Sequence, residues 1–80
     1  MPNRNRTEII VEMLESLSSP VPITWVMYRS RLSYSQLKEY REFLLEKKLV
    51  QQDNNLWSIT SKGKSFLEAY KRAMKILSES

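Results

Sequence analysis

The sequence predicts a mainly α fold with a small β component, an α+β domain. Three observations carry that expectation. Four segments repeat apolar residues at the spacing of amphipathic helices. Two short β-type runs, LVQQ and LWSIT, are separated only by Asp53-Asn54-Asn55. The chain has 80 residues, enough to close one core and too few for two. Residues 1–80 therefore read as a single domain, without repeat, linker or low-complexity tract.

The first helix is expected from Arg4 to Leu17, where Ile9, Ile10, Met13, Leu14 and Leu17 fall on one face. Thr7 or Asn5 can cap it, and early acids suit its dipole. The run SSPVP ends it, because each proline removes a donor and favours extended geometry in its predecessor. Val21 can add one or two residues of strand. A short helix follows from about Pro22 to Ser30, with Ile23, Val26 and Met27 on one side. Ser33 and Gln36 then have the spacing of a capping box, so LSYSQ marks a helix start rather than a loop. That helix runs over about 34–47, with Leu37, Tyr40 and Leu44 inward and Ser35, Lys38, Glu39, Glu42 and Glu46 outward. The Asp-Asn-Asn tract reads as a hairpin turn. Thr60 or Ser61 caps a last helix over 61–78. Its apolar side holds Phe66, Leu67, Tyr70, Ala73, Met74 and Leu77.

Composition narrows the function classes. There is no cysteine and no histidine, which removes disulfides and the usual zinc sites. No metal or other cofactor is expected. Catalysis lacks a histidine base and a cysteine nucleophile, and the single glycine, Gly63, cannot build a phosphate-cradling loop alone. No enzyme activity and no small-molecule ligand are expected. No segment is long and uncharged enough to span a membrane, and the start MPNRNRTE lacks the apolar core of a secretory signal. A cytoplasmic protein is the default. The net charge of +4 favours an anionic partner only weakly. Distribution says more. Residues 8–15 carry Glu8, Glu12 and Glu15 with no base, whereas 29–48 hold six bases against three acids.

Helix, short extended piece, helix, tight turn, helix, hairpin, helix is the order of a winged helix-turn-helix domain. The stretch ITWVMYRSRLSYSQLKEYREFLLEKKLV, followed by LWSITSKGKSFLEAY, closely resembles the small archaeal winged-helix DNA-binding proteins over roughly residues 7–75. That resemblance implies double-stranded DNA as partner, in transcription regulation or nucleoid organisation. It also implies a recognition helix at 34–47 and a homodimer formed through 61–78. Three departures stand out. Trp25 occupies a place where such sequences often carry a base. Lys48 stands where glycine usually closes the recognition helix, so a non-glycine residue is expected at positive φ. The wing tip has no Lys or Arg, which argues against strong phosphate contact there.

On this reading Tyr34, Ser35, Gln36 and Lys38 enter the major groove, with glutamine suited to adenine. Arg29 and Arg31 flank the turn and hold phosphates. The competing reading is a capped surface helix with solvated polar residues, and Glu39 and Glu42 would repel phosphate. A winged helix used as a protein-interaction module, with Trp25 facing a partner, is the alternative function. Arg4 and Arg6 can form a flexible basic arm or a solubilising tail, and one or both tryptophans belong to the core. The dimer contact is expected at Tyr70, Ala73, Met74 and Leu77. Phe66, Tyr70, Ala73 and Leu77 have the 4-3-4 spacing of a coiled-coil seam, and Phe66 and Leu67 anchor the helix on its own domain.

Overall fold

Local chemistry at the helix ends sets most of the architecture. The structure is a computed structural model that describes residues 4–79; residues 1–3 and 80 of the expected domain lie outside the described residues. Helix α1 spans Arg6–Glu15, shorter than its apolar pattern at both ends. The Asn5 side chain accepts the Glu8 amide at 2.8 Å while Glu8 accepts the Asn5 amide at 3.0 Å. This reciprocal cap fixes the start. The Ser16 hydroxyl donates to the Met13 carbonyl at 2.6 Å and closes the other end. The chain then forms β1 (Val21–Pro22), α2 (Ile23–Arg29), α3 (Tyr34–Glu46), β2 (Val50–Asp53), β3 (Leu56–Ile59) and α4 (Ser61–Ser78).

The three strands make an antiparallel sheet in the order β1-β3-β2. Val21 faces Trp57 across one pair, and Val50 faces Ile59 across the other. Asn54 turns the hairpin at φ 58°, as short polar side chains tolerate. The core joins α1 (Ile9, Ile10, Met13, Leu14), Val26 of α2, the inward face of α3 (Leu37, Tyr40, Leu44) and Trp57 of the sheet. Phe66 and Leu67 of α4 pack against it half-buried, as expected of anchors.

Two helices end alike. After α2, Arg31 takes φ 54°, its amide donates to Tyr28, and the Leu32 amide reaches back to Met27 at 3.1 Å. After α3, Lys48 takes φ 60°, its amide donates to Leu45, and the Leu49 amide reaches Leu44 at 3.0 Å. Both are Schellman motifs, which ordinarily place glycine at the left-handed position. Leu32 and Leu49, which follow, are buried and hold each motif by an apolar contact. The expectation for Lys48 holds. Arg31, expected only as a phosphate contact, carries the same strain.

The single glycine serves a different need. A Cβ at Gly63 would stand 2.3 Å from the Leu49 carbonyl oxygen and 2.6 Å from Cγ1 of Ile59. The absence of a side chain lets the first turn of α4 sit directly on the start of β2. Thr60 locks this junction: its hydroxyl donates to the Lys48 carbonyl at 2.7 Å and accepts the Gly63 amide at 3.1 Å.

Candidate nucleic-acid interface

The exposed start of α3 is built by its cap. Ser33 accepts the Gln36 amide at 3.3 Å, and Gln36 Oε1 accepts the Ser33 amide at 3.0 Å. Tyr34, Ser35, Gln36 and Lys38 are all exposed on this first turn and the next. The structure thus brings the four expected groove residues together at one helix end. It also restricts one of them. Gln36 Oε1 already serves the cap, which leaves its amide nitrogen free to donate. A bidentate contact with adenine requires the same oxygen as acceptor, so it must share or break the cap. The Ser33 and Ser35 hydroxyls lie 3.4 Å apart.

The two flanking arginines have different surroundings. Arg29, on the last turn of α2, stands 5.8 Å over the Trp25 ring. Arg31 leaves its left-handed position toward α1, where its guanidinium lies 3.6 Å from Glu12. Glu12 also pairs with Arg4. Arg4 in turn donates to the carbonyls of Ser30 at 2.6 Å and Arg31 at 3.0 Å, oxygens left without helical partners at the end of α2. The turn before α3 is therefore fastened to α1 by a charged cluster with Glu12 at its centre. The sequence offered no signal for it, since the partners are 26 and 27 residues apart.

The expected basic arm is corrected on the same grounds. Arg4 is held as described. Arg6 lies 4.6 Å over Phe43 and 5.6 Å over Tyr40, with Glu39 at 3.9 Å. Arg4 is thus tied by hydrogen bonds and an ion pair, and Arg6 lies on the domain by cation–π contact. Glu39 on α3 thereby has a compensating cation, though both groups are well exposed and the pair is weak. Lys38 and Arg29 enter none of the ion pairs among the described residues. Trp57 is 2% exposed and belongs to the core, whereas Trp25 is 49% exposed.

Helix α4 is 18 residues long, about 27 Å at the usual rise, in a molecule measuring 45 × 31 × 20 Å. Its residues from Lys71 onward are exposed. Of the residues expected at a dimer contact, Ala73, Met74 and Leu77 are exposed, and so is Ile76, which the pattern had not singled out. Tyr70 is half-buried and lines a groove with Glu8, Val11 and Glu12 of α1. Part of its ring is thus used within the chain.

Among the described residues no cluster of acids could hold a metal ion, and no helix is long and apolar enough to cross a membrane. A family model described as winged helix-turn-helix matches residues 3–78. No curated protein matches the chain. Among solved structures, the chain is similar to Sso10a-2, a DNA-binding protein from Sulfolobus solfataricus. The TM-score is 0.77 at 25% identity, covering 91% of this chain and 81% of that one.

Proposed function

Because this chain belongs to the winged helix-turn-helix family, we propose that it binds double-stranded DNA through the start of α3, without catalysis. The observation that carries the proposal is the exposed, capped first turn of that helix. It offers Tyr34, Ser35 and Gln36 to base edges, with Lys38 one turn on, and Arg29 and Arg31 precede it at the end of α2 and in the turn, for phosphates. A major groove about 12 Å wide admits such a helix. The DNA-binding character of Sso10a-2, similar over nearly the whole fold, supports the same reading.

The mechanism follows from the surroundings of each group. Lys38 and Arg29 are available to phosphate directly. Arg31 shares Glu12 with Arg4, so phosphate must compete with that carboxylate for it. The cluster still helps binding, because it fixes the turn and so the angle at which α3 leaves the body. Gln36 contributes only its NH2 group while it keeps the cap, which suits a purine N7 or O6 acceptor. Affinity per subunit is then modest, and pairing two subunits raises it without new contacts.

A homodimer through Tyr70, Ala73, Met74 and Leu77 supplies that pairing, with transcription regulation or nucleoid organisation as its use. The exposed apolar end of α4 supports it. The test is a pair of variants on one duplex. Lys38→Ala is expected to weaken binding to all sequences alike, while Gln36→Ala changes the preference among sequences. Equal binding by both variants and the parent, on every duplex, contradicts the proposal.

A further inference from the structure

Between Glu15 and Glu39 the chain carries no acid, only Arg29, Arg31 and Lys38. Within this segment α2 turns an aromatic face outward. Trp25 is 49% exposed and Tyr28 is 74% exposed. They are three residues apart and so neighbours on one helix surface, with Cβ atoms about 5–6 Å apart. The opposite side of the same helix supplies Val26 to the core. A tyrosine hydroxyl can reach a duplex phosphate, but duplex contact at the start of α3 makes no use of an exposed indole face.

Arg29 completes the arrangement. Its guanidinium stands 5.8 Å over the Trp25 ring, within cation–π range. It lines a cavity with Glu12 and Glu15 but forms no ion pair among the described residues. Flat rings beside unpaired positive charge, with no acid on the element, form a surface complementary to a strand whose bases are open. Base–aromatic stacking is tolerant of sequence because every base has a π-face, and the neighbouring cation meets the backbone.

We infer that the outer face of α2 binds the unpaired bases of a DNA strand, by stacking on Trp25 and Tyr28 with Arg29 at the phosphates. The choice of DNA rests on the function proposed above; the two rings stand on α2 rather than at the start of α3, and Arg29 is common to both contacts. The rings thus take opened bases, whereas Tyr34, Ser35 and Gln36 face the duplex.

The two tryptophans make a direct test possible, since Trp57 is 2% exposed and only Trp25 can meet a base. The full chain is titrated with three probes: oligothymidine of about 12 nucleotides, a length within the range of single-strand binders, an abasic strand of equal length, and a blunt duplex. Oligothymidine is expected to quench the exposed tryptophan, and the abasic strand to bind more weakly without quenching. Trp25→Ala and Tyr28→Ala are each expected to weaken oligothymidine binding about 5- to 150-fold. Trp25→Phe should recover much of the loss. Duplex affinity, which shares only Arg29 with this face, should fall far less than oligothymidine affinity in all three, with buried Trp57 emission reporting an intact fold. Equal affinity for the oligothymidine and the abasic strand, without quenching, overturns the inference while duplex binding stands. Emission from Trp25 that follows protein concentration and ignores oligonucleotide places the face in a protein contact, and also overturns it. Absence of duplex binding alone would instead remove the function proposed above.

Discussion

Arg4 donates to the Ser30 carbonyl at 2.6 Å, tying the approach to α1 to the end of α2. The same guanidinium reaches Arg31 and Glu12, so one side chain holds the turn that aims α3. Removing it leaves two carbonyls at the helix end and a part-buried carboxylate with fewer partners. Arg4→Ala is expected to lower stability by about 1.5–3 kcal/mol, the range for hydrogen bonds to charged groups. In a domain of this size each kcal/mol shifts Tm by about 4–8 °C. Amide exchange at Arg31 and Leu32 should rise with it. An unchanged Tm and unchanged exchange would show that the cluster contributes nothing to the turn.

What the sequence disclosed and what it hid divide along the range of the interactions. The Ser33–Gln36 cap, the Asn54 turn and the inward residues of α3 depend on neighbours a few positions away, and their spacing is visible in the text of the chain. The positive φ at Lys48 follows instead from the resemblance, in which glycine usually closes that helix. The α2–α3 turn has the same Schellman bonding, yet Arg31 looked like a phosphate contact and its backbone went unread. Arg4 and Arg6 looked like a loose arm because Ser30, Tyr40 and Phe43 are far away in sequence. Val11 is buried although it lies off the main apolar stripe of α1, because α4 covers that flank too. Tyr70 lines the same groove, a packing partner that periodicity cannot supply.

Relief of backbone strain gives a second expectation. Lys48 holds φ 60°, a conformation that costs an ordinary residue about 1–2 kcal/mol, whereas glycine adds about 0.4–1 kcal/mol of unfolded-chain entropy. Lys48→Gly is therefore expected to stabilise the fold by about 0.5–1 kcal/mol in urea denaturation. Arg31→Gly relieves the same strain but removes a cation proposed to hold phosphate, so duplex affinity should fall while the fold persists. A clear loss of stability in Lys48→Gly would contradict a left-handed Lys48.

Gly63 tests the packing of α4. On helix propensity alone, Gly63→Ala should stabilise by about 1 kcal/mol. The close approach of Leu49 and Ile59 reverses the sign, because the carbonyl is backbone within a Schellman motif and cannot swing aside. The expected outcome in denaturant titration is a loss of about 1–3 kcal/mol, as for overpacked cores. A gain would mean that α4 sits farther from β2 than the structure has it.

Self-association has its own measurement. Met74, Ile76 and Leu77 leave apolar side chains exposed at the end of α4, with Leu77 at 76%. Each such side chain, fully buried, contributes about 1.5–3 kcal/mol. Two copies of a few residues can then offset the entropy of association. Light scattering over a range of concentrations is expected to give a dimeric mass for the parent and a monomeric mass for Leu77→Glu. A monomer at high concentration, unchanged by Leu77→Glu, contradicts the dimer.

Duplex binding itself is tested most directly by its salt dependence. Arg29, Arg31 and Lys38 are three proposed phosphate contacts per subunit, and each neutralised phosphate contributes about −0.9 to the slope of log affinity against log salt. The slope is expected to be about −2.7 for one subunit and about twice that for a dimer engaging both recognition helices. Arg29→Ala and Lys38→Ala should each bring it closer to zero by about 0.9 per subunit. Duplex binding that is undetectable at low salt, or has a slope near zero, would contradict the account.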